Sequence, residues 1–154
     1  MPGYGTEKEG SKKTLRHQGI QKAISNKKEK STFFQFLAPD GDMLSGLADK
    51  YSQNSILNIN KSLTDHPNSF NYIEVECDLF ENIVEKTNID FLSLDTEGNE
   101  LEILETINFN KYNISIISVE NNEYNDRFIN FFSNKNYILV AKLGCDEVYK
   151  KQQI

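Results

Sequence analysis

Two apolar runs, each ending in acidic residues, limit the fold of this chain more than any other feature. The first run covers Ile89–Leu94 and stops at Asp95–Gly98, whose sequence is D-T-E-G. The second run covers Ile114–Val119 and stops at Glu120-Asn121. Short, nearly continuous apolar runs of this kind are typical of strands that are buried on both faces of a parallel sheet.

Helical patterns follow both runs. The spacing of apolar residues predicts a helix over Asn99–Ile107 and another over Tyr124–Asn136, followed by strands over Tyr137–Leu143 and Glu147–Lys150. Strands and helices that alternate at this spacing imply right-handed crossovers. We therefore expect an α/β fold whose sheet is mostly parallel, with an antiparallel strand at the C-terminal end.

The N-terminal half carries weaker patterns. Strands are predicted over Gln21–Ser25, Thr32–Leu37 and Tyr72–Cys77, and a helix is predicted from Met43 to about Asp65. A further short helix is predicted after Asp78. Residues 1–19 are polar and glycine-rich, so we expect a flexible basic arm there and a single domain over residues 20–154.

Charge is distributed unevenly along the 154 residues. Residues 1–30 contain eight Lys or Arg and three acidic residues, whereas the remainder contains nine basic and twenty acidic residues. An acidic body argues against a nucleic-acid-binding face, so no nucleic-acid partner is expected. No apolar run is long enough to cross a membrane and the N-terminus lacks a secretory pattern, so no membrane partner is expected either. Two isolated cysteines suggest a reducing compartment, which for this chain we take to be the cytoplasm.

The acidic strand ends are the candidate site. Ligands of open parallel sheets bind beyond the carboxyl ends of the strands, which is where Asp95, Glu97 and Glu120 are expected. One alternative is that these acids only cap helices and complement helix dipoles. Another is a Mg²⁺ or Mn²⁺ site formed by the same three carboxylates, with Mg²⁺-dependent phosphoryl transfer as the corresponding function. No histidine supports a metal and no phosphate-binding loop is present, so no metal is predicted.

The segment around the first acidic strand end resembles the signature of the FkbM-type methyltransferases. Residues 89–100 read I-D-F-L-S-L-D-T-E-G-N-E, which is similar to the family pattern I-D-x-L-x-[IL]-D-x-E-G-x-E. The segments 117–121 and 136–140 resemble later strands of that family, 23–26 and 32–34 resemble earlier ones, and 42–46 resemble a loop. The similarity extends over about residues 20–150.

This resemblance implies a Rossmann-like domain that uses S-adenosylmethionine to methylate a hydroxyl oxygen of a sugar or small metabolite. By position it implies that Asp95, Glu97 and Glu120 are catalytic. It also implies two further sets of contacts: Ser25, Asp95 and Gly98 with the cofactor, and Met43, Ser45 and Asn121 with the substrate.

The family's earlier glycine-rich strand and ribose-binding acid are not visible in the sequence, so the domain is predicted to be N-terminally truncated. A homo-oligomer or a complementing chain is then expected, because the strand Phe91–Leu94 would lie on an open sheet edge. Thr32–Leu37 is the internal segment most able to cover that edge. The alternative to an enzyme is a non-catalytic remnant or assembly module of the same fold.

Overall fold

The computed structural model describes residues 19–37 and 44–152. These ranges contain eight strands and four helices. In chain order they are β1 (Ala23–Ile24), β2 (Lys30–Phe36), β3 (Gly46–Leu47), α1 (Gln53–Asp65), β4 (Phe70–Asp78), α2 (Phe80–Ile83), β5 (Asn88–Leu94), α3 (Glu100–Thr106), β6 (Asn113–Glu120), α4 (Arg127–Phe132), β7 (Tyr137–Leu143) and β8 (Asp146–Lys151).

The prediction of a single, mostly parallel Rossmann-like sheet is wrong. The strands form two four-stranded sheets, in the orders β1-β4-β2-β3 and β5-β6-β8-β7. Only the pairs β1–β4 and β5–β6 are parallel, whereas the other four pairs are antiparallel. The described residues therefore form mixed sheets in which antiparallel pairing dominates.

The physical reason lies in the connections. In the second sheet, β5, α3 and β6 form a crossover that makes two strands parallel neighbours. After α4 the chain instead makes the β7–β8 hairpin around Gly144, and β8 is the strand that pairs with β6. In the first sheet, β2 runs antiparallel to β4 over seven register positions. Local hydrophobic patterns do not encode which strand returns to which neighbour.

The expectation that β5 is buried on both faces is also wrong. Phe91, the middle residue of β5, is 57% exposed, and β5 lies at the edge of its sheet, where it pairs only with β6 among the described strands. The segment Thr32–Leu37 was predicted as the internal cover of this edge. Its residues up to Phe36 instead lie in β2, which pairs with β3 and β4.

The core of the second sheet lies on one face. Ile103 and Leu104 of α3 and Phe128 and Phe132 of α4 are fully buried against that face, where Phe132 and Tyr149 stack with ring centroids 4.3 Å apart. The strand registers place a row of residues on the opposite face: Phe91, Ile116, Lys150 and Ile138. Phe91 and Ile138 in that row are exposed.

The first sheet packs its own small core against α1. Phe34, Phe36 and Ile59 are buried there together. The predicted helix from Met43 begins later than expected, at Gln53, because Ser52 caps it by accepting a hydrogen bond from the Ser55 amide. No helix in the described part of the chain is long and apolar enough to span a membrane.

Candidate active site

The three acids predicted at the strand ends lie together in the structure. β5 and β6 run parallel and their ends are level, with Leu94 opposite Val119. Asp95 and Glu97 follow β5, and Glu120 is the last residue of β6. One carboxylate oxygen from each acid lies within 4.8 Å of the others. We call these three residues the acidic cluster.

Burial and mutual repulsion shift the pKa values of the acidic cluster upwards. Burial, followed by the charge of Asp95, raises the pKa of Glu97 to about 7. Burial, followed by the charges of Glu97 and Asp95, raises the pKa of Glu120 to about 7. The pKa of Asp95 is also raised, again mainly by burial. Glu97 and Glu120 therefore exchange protons near neutral pH, where a general acid or base works best.

The turn that carries Asp95 and Glu97 has an unusual backbone. Glu97 has a φ of 59° and Gly98 a φ of 122°, both in the left-handed half of conformational space. A β-carbon on Gly98 would lie 2.2 Å from the carbonyl oxygen of Lys50. Gly98 therefore permits a close backbone approach, and the chain itself makes that approach from the loop before α1.

A cleft of about 350 Å³ lies beside the acidic cluster, between the first sheet and the end of β5. Asp95, Thr96 and Asn99 line it from the second sheet, and residues of β1, β2, β3 and their loops line the other side. Asn99 is fully buried; its side-chain Nδ2 donates to the carbonyl oxygen of Ile24 at 3.2 Å, while its Oδ1 has no hydrogen-bond partner. The wall of the cleft thus contains a buried acceptor atom without a hydrogen-bond partner.

A protein-family model described as the methyltransferase FkbM domain matches residues 6–139, which is most of the chain. The chain belongs to the FkbM methyltransferase family. This confirms the family that the D-T-E-G segment indicated. Neither a curated protein nor a solved structure gives a significant match.

Of the three residues predicted to bind the cofactor, one lines the cleft in this FkbM domain. Asp95 lines the cleft. Ser25 follows β1, is buried, and donates its amide hydrogen to the carbonyl oxygen of Asp78 at 2.9 Å. Gly98 packs against Lys50, as described above. Asp95 is therefore the one of the three that the cleft exposes directly.

Of the residues predicted to bind substrate, Ser45 lines the cleft and Asn121 does not. Ser45 lines the cleft, and its Oγ accepts a hydrogen bond from the Phe36 amide at 3.0 Å. Met43 lies outside the described residues. Asn121 is buried, and its Nδ2 donates to the carbonyl oxygen of Asn125 and to Glu147 Oε1. Its Oδ1 is buried without a partner.

The sequence analysis missed two buried polar residues of the FkbM domain, Asn99 and Glu100. They precede Ile103 and Leu104 by four positions, so helical spacing places them on the apolar face of α3. That spacing is the sequence signal that could have indicated both residues.

The carboxylate oxygens of the acidic cluster are of the type that hard divalent cations prefer, so among the described residues these three could hold one.

A larger cavity of about 620 Å³ lies on the outer face of the first sheet, against Phe33, Ile73 and Val75, and contains none of the predicted site residues.

Proposed function

We propose that this FkbM domain is an S-adenosylmethionine-dependent methyltransferase that acts on a hydroxyl oxygen of a sugar or small metabolite. The observation that carries the proposal is the acidic cluster: carboxyl groups with pKa values of about 7 stand at the ends of two parallel strands, beside a cleft. Groups with such pKa values suit the removal of a proton from a hydroxyl at neutral pH.

The residues around the cleft fit a cationic ligand. When bound, the cofactor supplies an electrophilic methyl group on a positively charged sulfonium. The carboxylates of the acidic cluster make the adjoining cleft electronegative, which favours a positive charge there. The Oδ1 of Asn99 offers an unused acceptor to a hydroxyl or amino group. Asp95 and Asn99 would hold the cofactor in the cleft, and Ser45, which also lines it, would contact the substrate.

Within this proposal, Glu120 is the general base. Its Oε2 is buried without a hydrogen-bond partner, and its side chain is more exposed than that of Glu97, which is 8% exposed. Glu97 raises the pKa of Glu120 through its charge, and Asp95 lines the adjoining cleft. Glu120 would accept the proton of the substrate hydroxyl, and the cofactor, when bound, would supply the methyl group and leave as the neutral thioether.

The alternative is an assembly module of the same fold that binds no cofactor. The observation that favours it is the exposed edge of β5, which offers unpaired backbone groups and the ring of Phe91 to a second chain.

Under either function we place the protein in the cytoplasm, a proposal supported by the two free cysteines, Cys77 and Cys145.

Calorimetry of the full chain with S-adenosylmethionine tests the proposal. We expect saturable one-site binding with a dissociation constant between about 100 μM and 1 mM, that is, roughly 4 to 5.5 kcal/mol. Asp95→Asn and Asn99→Leu should each weaken it at least about tenfold. Glu102→Gln is the matched control, because Glu102 lies on the same helix and bonds to Lys50 away from the cleft. No heat of binding in a folded sample would favour the assembly module instead.

A further inference from the structure

The buried carboxylate of Glu100 faces back towards the turn that carries two of the clustered acids. Glu100 begins α3 and is 1% exposed. Its Oε1 accepts three hydrogen bonds: from the Thr96 amide at 2.8 Å, from Thr96 Oγ1 at 2.9 Å, and from the Gly98 amide at 3.1 Å. Because these donors stand on either side of Glu97, one oxygen atom fixes the backbone on both sides of that residue.

The second oxygen of Glu100 faces the other acid-bearing loop. Oε2 has no hydrogen-bond partner, and Arg127 Nη2 lies 3.8 Å from it. Arg127 begins α4, directly after the loop that follows Glu120, and its Nη1 lies 3.7 Å from Glu123 in that loop. Glu100 therefore connects the turn after β5 with the loop after β6.

This arrangement differs from ordinary helix capping. An acid that only complements a helix dipole stays exposed and interacts with the free amides of the first helical turn. Glu100 is buried, and its backbone donors, Thr96 and Gly98, precede the helix. Burial of a charged carboxylate costs free energy unless hydrogen bonds and an opposite charge compensate it, and the three donors and Arg127 provide that compensation for Glu100.

We infer that Glu100 is a positioning residue that holds Asp95 and Glu97 against Glu120 through the Thr96–Gly98 turn and Arg127. The catalytic meaning of this inference rests on the proposed function, whereas the placement of the turn does not. The charge of Glu100 also helps to raise the pKa values of the acidic cluster: it is the largest cause after burial for Asp95 and the smallest cause for Glu97 and Glu120. The other charged or titratable groups that face this region from neighbouring elements are Tyr51, Glu123, Arg127, Cys145 and Asp146.

Three variants of the full chain separate positioning from simple structural support. Glu100→Gln keeps one acceptor oxygen and removes the charge. Glu100→Met has a similar length and no strong acceptor. Glu102→Gln is the matched control on the same helix, since Glu102 bonds to Asn26 and Lys50. Hydrogen exchange of the Thr96 and Gly98 amides is the first measurement, and the Ile103 amide, which donates to the carbonyl oxygen of Asn99, is the internal reference.

In Glu100→Met we expect the Thr96 and Gly98 amides to exchange at least about tenfold faster while the Ile103 amide keeps its wild-type rate. In Glu100→Gln those amides should stay within about threefold of wild type, because the acceptor remains. Wild-type exchange at Thr96 and Gly98 in Glu100→Met would overturn the inference, as would equal acceleration of all three amides.

Carboxyl carbon NMR provides a second measurement that a merely structural role would not move. The titration midpoint of Asp95, on which the charge of Glu100 acts second only to burial, should fall in Glu100→Gln and stay unchanged in Glu102→Gln. This comparison decides the matter if Glu100→Met does not fold, and an unchanged midpoint in Glu100→Gln would then overturn the inference. Neither measurement needs activity, so absent methyl transfer would refute the proposed function alone. If the enzyme is active, kcat should fall in Glu100→Met with little change in KM, and Glu100→Gln should restore most of it.

Discussion

Glu97 follows β5, and Glu120 is the last residue of the parallel neighbour β6; one carboxylate oxygen of Glu97 lies within 4.8 Å of one of Glu120. Like charges at this distance, partly removed from water, cannot both ionise easily. The folded state therefore retains protons that the unfolded chain releases. This relationship determines how the stability of the domain responds to pH.

Stability should fall as pH rises from about 4.5 to above 7. In that window the folded state binds more protons than the unfolded state, since both glutamates have a pKa of about 7 when folded and an ordinary value of 4.5. The free energy of unfolding must then decrease with pH. Urea unfolding at several pH values measures this slope. Glu97→Gln should flatten it and raise the melting temperature at pH 8, and a slope equal to that of wild type would contradict the raised pKa.

Asp95→Asn and Glu97→Gln should abolish methyl transfer and keep the melting temperature within a few degrees of wild type at pH 7. Neutralising either acid removes charge from the cleft and relieves repulsion within the acidic cluster. Glu120→Gln should lose at least about a hundredfold in kcat as the proposed base. Glu102→Gln controls for loss of a carboxylate on the nearby helix. Wild-type turnover by Asp95→Asn, Glu97→Gln or Glu120→Gln, in an assay specific for methyl transfer, would remove that residue from the catalytic set.

Gly98→Ala should destabilise the domain by more than about 2 kcal/mol, because a left-handed backbone and a collision with Lys50 act together. Gly144→Ala is the control that separates the two causes. Gly144 has a φ of 69°, but an added β-carbon there meets nothing within 4 Å. Gly144→Ala should therefore lower the free energy of unfolding by only about 1 kcal/mol. Equal losses in the two variants, measured by urea unfolding, would show that the collision with Lys50 is relieved at no cost.

Phe132→Ala should cost about 3–5 kcal/mol of stability. The ring of Phe132 is fully buried between α4 and the second sheet, where it contacts Tyr137 and Tyr149. Phe91→Ala is the control, since Phe91 is exposed and should change the free energy of unfolding by less than about 1 kcal/mol in the monomeric state. A small loss for Phe132 would mean that the core of the second sheet is not packed as described.

The edge of β5 should pair with a second copy of the chain. Phe91 stands at its centre, and among the described strands only β6 pairs with β5. Light scattering should give a mass above that of the monomer, and the β5 amides should exchange slowly. Phe91→Lys should return the protein to a monomer. Ile138→Lys, on the same face but on β7, should remain associated. A monomeric wild type with fast-exchanging β5 amides would exclude pairing at this edge.

Local features were predictable from the sequence to different degrees. The strands around Ile89–Leu94 and Ile114–Val119 and the helix between them are confirmed, because their patterns are set by burial against neighbours close in sequence. The helix predicted over Tyr124–Asn136 is shorter, at Arg127–Phe132, since residues 121–126 form a loop after β6 instead. The prediction of one mostly parallel sheet was wrong because the strands divide into two sheets and β2 pairs antiparallel with β4, and no local pattern encodes such distant pairing.

The residues of the candidate site were also predictable only in part. Position at strand ends was enough to indicate Asp95, Glu97 and Glu120, which lie together in the structure. The role of Glu100 was not visible, because a glutamate in the first turn of a helix is common and its burial depends on the loop before α4. The function of each acid stays a prediction, which the variants above test.

The contact at Gly98 has a genetic consequence. The atom that blocks a side chain there is the main-chain oxygen of Lys50, which every amino acid carries. No substitution at position 50 can remove that atom, so a defect at position 98 has no direct compensating partner. A suppressor screen that starts from Gly98→Ala should therefore return changes that move the whole loop before α1, such as insertions or deletions near Asp49, and not single replacements of Lys50.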